Sequence, residues 1–133
     1  MSQSEERHYA SLLDRTVLED IRKLSVRGHV NYLDKTISLF EKSSPHLVET
    51  IHDAVARNDS KALHIAAHSL KSASMLLGAT ALSSFCRELE TMGRNDDVQD
   101  AASLLSGLDA EFEGVLRALE LEKSGNRLGD RPG

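Results

Sequence analysis

The sequence predicts an all-α protein, an antiparallel four-helix bundle with a short additional N-terminal helix, and three observations lead there. Aromatic residues are only 4% of the chain, Trp is absent and Pro occurs twice, so a sheet is poorly supported and Leu, Ala, Glu and Ser favour helix. Apolar residues recur with helical spacing through most of the chain. The stretches between these stripes are short, which favours antiparallel neighbours. At 133 residues, 40% of them hydrophobic, there is material for one core and not for two, so one domain is expected.

Residues 1–12 are polar and are expected as a flexible N-terminal segment, whether a disordered lead-in, a linker or a docked arm. The bundle is expected over residues 13–122. Asp14 is a candidate N-cap for a short helix carrying Val17, Leu18, Ile21 and Leu24 and ending near Gly28. Leu33, Ile37 and Phe40, then Leu47, Val48, Ile51, Ala54 and Val55, mark the next stretch. Pro45 either kinks it or opens a new helix capped by Ser44, and the in-phase stripe favours a kink or short break. Asn58-Asp59-Ser60 reads as a turn and N-cap before a helix that runs to Leu77, with Gly78 as a left-handed terminating residue. Thr80 begins a helix with Leu82, Phe85, Cys86, Leu89 and Met92 inside, stopped by Gly93 to Asp97. Ala101, Leu104, Leu105, Leu108, Phe112, Val115, Leu116 and Leu119 form the last and clearest stripe. Residues 123–133 have little to bury and are expected to be disordered.

The net charge of −5 and the lack of a Lys/Arg cluster argue against nucleic acid. One cysteine excludes an internal disulfide framework, and Cys86 reads as a small core residue. No apolar run near 20 residues and no leader pattern stand in the sequence, so no membrane contact and a soluble, cytoplasmic domain are expected. A polar lead-in and tail suit both a free-standing protein and a cytoplasmic segment of a membrane-bound sensor kinase. No separate dimerisation helix is visible, and a monomer is expected.

The most informative stretch is Ala67 to Ala79. Leu63, Ala66, Leu70, Ala73 and Leu77 line one stripe of its helix, which places His68 on the opposite, outer face with Lys71 and Ser72 at i+3 and i+4. A lone exposed histidine is ordinarily a solvated side chain. A neutral imidazole beside a cation, however, suits phosphoryl chemistry, where alignment and positive charge near the equatorial oxygens matter most. His64, at i−4, lacks a third ligand in register, so no metal site is expected; it either tunes His68 or has no role. His8, His29, His46 and His52 follow no ligand spacing. Glu88, Glu90, Asp96 and Asp97 read as helix-surface and cap residues.

Ala67-His68-Ser69-Leu70-Lys71-Ser72-Ala73-Ser74, followed by Leu77-Gly78-Ala79, resembles the signature of histidine-containing phosphotransfer (HPt) domains of multistep two-component phosphorelays. The similarity extends to Leu82, Cys86, Leu89 and Glu90 and covers residues 14 to 121 in helix order. The resemblance implies a four-helix bundle whose His68 accepts a phosphoryl group from a receiver-domain aspartyl phosphate and passes it to another receiver's aspartate. It makes Lys71 the phosphoryl-stabilising lysine and Gly78 the glycine that closes the helix. Ser72 stands where many members have glycine, and Met75 and Leu76 where they are often smaller or more polar. His64, Ile65, Ser69, Ser72, Met75 and Leu76 are thereby the expected partner-binding set. No cofactor is expected on this chain, with Mg²⁺ on the partner receiver, and the chain is a phosphoryl carrier without kinase activity of its own. The rival is a helical scaffold whose His68 is never phosphorylated.

Overall fold

The computed structural model describes residues 2–28 and 31–123. Among them are six α-helices and no strand: α1 Gln3–Ser11, α2 Arg15–Gly28, α3 Tyr32–Ala56, α4 Ser60–Leu76, α5 Thr80–Arg94 and α6 Leu105–Glu122, the last preceded by a 3₁₀ segment at Gln99–Leu104. The four longest-packed helices, α3 to α6, form the bundle, with α4 against α5 as its most extensive interface and α3 on the other flank of α4.

The helix starts follow from short polar side chains that accept otherwise unpaired backbone N–H groups. Asn31 accepts from Asp34 N at 2.9 Å, Asp59 from Ala62 N at 3.0 Å and Asp14 from Thr16 N at 2.9 Å. Three ends share one solution. Asn58, Gly78 and Asp96 take positive φ values of 56°, 72° and 56°. The amide after each returns to a carbonyl in the helix's last turn: Asp59 N to Ala54 O at 2.8 Å, Ala79 N to Ser74 O at 2.9 Å and Asp97 N to Met92 O at 2.8 Å. Gly78 is therefore the left-handed residue its sequence position suggests. In α5 that place is taken by Asp96, not Gly93, which lies inside the helix and is buried.

Pro45 interrupts nothing: α3 is one helix from Tyr32 to Ala56, so no new N-terminus opens there. Proline removes one backbone donor. Around it the Ser43 hydroxyl donates to Leu39 O at 2.8 Å and that of Ser44, which is buried, donates to Phe40 O.

Residues 1–12, expected as a flexible segment with a docked arm left open among its readings, hold α1, which is the docked arm. Its polar sequence hides a docking edge: Tyr9 and Leu12 pack on the core, and Gly114 of α6 leaves the room that Leu12 fills, since a Cβ there would lie 2.8 Å from Leu12 Cδ1. Two short helices thus precede the bundle rather than one. α2 buries Leu18 completely, and its Arg15 and Arg22 converge on Glu122 of α6, whose side chain is fully buried. Lys123, assigned to the tail by sequence, binds Glu41 of α3 at 2.6 Å. The rest of the tail expectation and His29 lie outside the described residues.

The core follows the stripes read in the sequence, except that Leu24, placed on the stripe of α2, is 63% exposed. Leu33, Ile37, Ile51, Leu63, Leu70, Leu77, Leu82, Leu89, Leu108 and Leu119 are at most 1% exposed. Phe85 and Met92 are only half-buried against it. Cys86 is fully buried, and burial pushes its thiol up to about 12. A thiolate is the reactive form, so a thiol-specific disulfide reagent at neutral pH should leave the native protein unlabelled. One equivalent should react only on unfolding, and fast labelling of the native chain would show this account of Cys86 to be wrong.

Candidate functional site

The site sits where α4 and α5 run antiparallel, joined by the tight turn at Gly78. Their backbones nearly touch: a Cβ on Gly93 would come within 2.6 Å of His64 N and 2.8 Å of Ser60 O. That contact fixes the register and brings Glu90, one turn before Gly93, beside His64, His68 and Lys71.

The His68 side chain is 59% exposed, so the ring stands in water as its helical phase requires. Lys71 differs from expectation, with a side chain only 19% exposed. The reason is Glu90. This residue, read from sequence as helix surface, is 3% exposed and lies under both groups. Its Oε2 accepts from His68 Nδ1, and its Oε1 accepts from Lys71 Nζ at 2.6 Å. Arg94, one turn further along α5, places Nη2 3.8 Å from the same Oε1. The Lys71 hydrogen bond first, and the His68 hydrogen bond after it, hold the Glu90 carboxyl below its usual value against the opposing effect of burial. An ionised carboxylate only accepts, so the His68 proton sits on Nδ1 and the lone pair on Nε2 is left facing solvent.

The rest of the expected set is arranged around this group. His64 Nδ1 lies 3.3 Å from the Glu90 backbone carbonyl, which ties it to α5. Ser69 and Ser72 are exposed and small. Ile65, Met75 and Leu76 are 54%, 54% and 65% exposed, an apolar surface with no covering element among the described residues. Gly78 ends α4 and also admits the start of α2, because a Cβ there would meet Asp14 N at 2.9 Å. Among the described residues no group of three or more His, Cys, Asp or Glu stands together as a metal site, and no helix is long and apolar enough to cross a membrane.

Sequence reasoning placed Glu90 within the resemblance but read it as helix surface, and it did not single out Arg94. A signal for the first was present: Glu90 follows Cys86 by four residues and Leu89 by one, in phase with the buried stripe. An acid in that phase has to find a cation.

A helical bundle that offers water one imidazole nitrogen, with the other tied to a buried acid, has the make-up of a phosphotransfer module. The chain belongs to the Hpt domain family, whose model matches residues 35–119. It is similar to the crystal structure of histidine-containing phosphotransfer protein B (HptB) from Pseudomonas aeruginosa PAO1, at 28% identity and a TM-score of 0.77, over 87% of this chain and 97% of that one. No curated protein matches. The chain is a histidine phosphotransfer module of two-component phosphorelays, and its partners are receiver domains.

Proposed function

We propose that His68 is the phosphoacceptor and that Nε2 is the reacting atom. The observation that carries this is the Glu90 carboxylate on Nδ1, which fixes the tautomer and leaves the nucleophilic lone pair on the exposed side. The Nε2 lone pair attacks the phosphorus of a receiver's aspartyl phosphate. The N–P bond forms as the P–O bond breaks, and the aspartate departs as carboxylate. The ring, its proton still on Nδ1, becomes cationic beside Glu90, which stabilises the charge as it develops. Reversal onto a second receiver's aspartate completes the relay.

In this reading Lys71 leaves Glu90 Oε1 to meet the phosphoryl oxygens, and Mg²⁺ belongs to the receiver. Ile65, Met75 and Leu76 dock the receiver, Ser69 and Ser72 keep the approach to the ring open, and His64 borders the contact. The chain acts in the cytoplasm, where its receivers would work, and as a monomer, a reading supported by the packing of α1 and α2 against their own bundle.

Incubation with phosphorylated receiver domains tests this. The expected result is acid-labile, alkali-stable label on this chain, assigned by ³¹P NMR to Nε2-phosphohistidine and absent from His68→Gln. Absence of label with several receivers, or label retained in His68→Gln, favours the scaffold.

A further inference from the structure

We propose that His64 and His68 together bind a divalent transition-metal ion of the Zn²⁺ kind, and that the bound ion blocks phosphoryl uptake; the blocking half rests on His68 being the acceptor. Residues four apart on a helix are neighbours on one face, the spacing that paired histidines use in helical zinc motifs. What the fold adds is that one residue holds both rings. The Glu90 carboxylate accepts from His68 Nδ1, and the Glu90 backbone carbonyl stands 3.3 Å from His64 Nδ1. A carbonyl oxygen only accepts, so His64 too carries its proton on Nδ1 and its lone pair on Nε2. Neither lone pair is shut in. The His68 side chain is 59% exposed. The buried side-chain nitrogens and oxygens without a partner among the described residues are Arg22 Nε and Glu111 Oε2, so the unbonded Nε2 of His64 reaches water.

Neutral imidazole is a ligand that zinc, copper and nickel ions share. A ligating imidazole characteristically donates its other N–H to a carboxylate or a backbone carbonyl, which fixes the ring and its tautomer. Glu90 supplies one of each. The third protein ligand that the sequence lacks is absent among the described residues too, so water completes the coordination and the ion exchanges, acting as an inhibitor and not as a structural metal. The charge of Lys71 is offset by Glu90 Oε1 at 2.6 Å. An ion on His68 Nε2 occupies the lone pair that attacks phosphorus, so metal and phosphoryl group exclude each other.

Zinc chloride titrated into the full chain, followed by calorimetry and by the imidazole ¹⁵N resonances, tests the site. Nε2 of His64 and of His68 are expected to shift together, and before the rings of His46 and His52, each of which stands near a single carboxylate. His64→Gln should weaken binding about a hundredfold, the loss when a two-point attachment becomes one-point. Glu90→Gln should weaken it about tenfold, the scale of a lost partner behind a ligand. The block is read with potassium phosphoramidate, which needs no receiver: the N–P bond to His68 forms as the donor's P–N bond breaks and ammonia leaves. Zinc should slow this labelling in the wild type, EDTA should restore it, and His64→Gln should show little slowing relative to its own metal-free rate. Zinc affinity unchanged by His64→Gln overturns the proposal, as does first binding at His46 or His52, or equal slowing in wild type and His64→Gln. Failure of the relay reading looks different: zinc binds the pair and blocks phosphoramidate, but no receiver labels His68.

Discussion

Glu90→Ala is expected to slow phosphoryl uptake by His68 about tenfold to a hundredfold, measured as the rate of label transfer from a phosphorylated receiver. The carboxylate supplies a charge-assisted hydrogen bond that strengthens as the ring becomes cationic, worth about 1.5–3 kcal/mol, and each 1.4 kcal/mol in a barrier is roughly a factor of ten. Glu90→Gln keeps an acceptor for Nδ1–H while removing the charge, so its rate should fall between alanine and wild type. Equal rates in all three would sink the role given to Glu90.

The same variants carry a pH signature. The Glu90 carboxyl is held below its ordinary value of 4.5, chiefly by Lys71. Its folded value is depressed, so the stabilisation is fully present above pH 4.5 and is lost as the pH falls through the lowered folded value. Thermal melting of the wild type should lose this contribution in acid, and Glu90→Gln should lack that component. A parallel acid decline in both would show that the cluster does not titrate as described.

Gly93→Ala is the second large effect. The added methyl would meet backbone atoms of His64 and Ser60 under 3 Å away, and backbone cannot rotate aside as a side chain can. α4 and α5 must separate. Overpacking of this kind costs about 1–3 kcal/mol, or roughly 5–15 °C in melting temperature for a domain of this size. Separation also lengthens the reach from Glu90 to His68, so phosphoryl uptake should drop in the folded fraction as well. Wild-type stability and uptake together would mean that the two helices do not approach this closely.

These two residues also mark where the sequence stopped being legible. The outward face of His68, the core leucines of α4 and α6 and the left-handed Gly78 are set by spacing within one helix, and spacing is what a sequence displays. Glu90 and Gly93 act across two helices. Their meaning depends on the register of α5 against α4, which Gly93 sets through the absence of a side chain, and one chain read alone does not display an absence as a contact. α1 escaped notice for another reason. It docks through Tyr9, Leu12 and the space above Gly114, too few apolar residues to give a periodic signal. Lys71 was legible as a cation next to His68 but not as a covered one, because its partner lies on another helix.

The pairing of Arg15 and Arg22 with Glu122 has a practical bearing on where this fold can be trimmed. Matched positions of the family stop at 119 and begin at 35, so both arginines and their shared carboxylate fall outside them. A fragment cut to those limits would shed the helix that buries Leu18 and the clasp that fastens it, baring an oily flank of α3. The packed body is therefore wider than the matched one, taking in Leu18 and the two arginines of α2 at one end and Glu122 and Lys123 at the other.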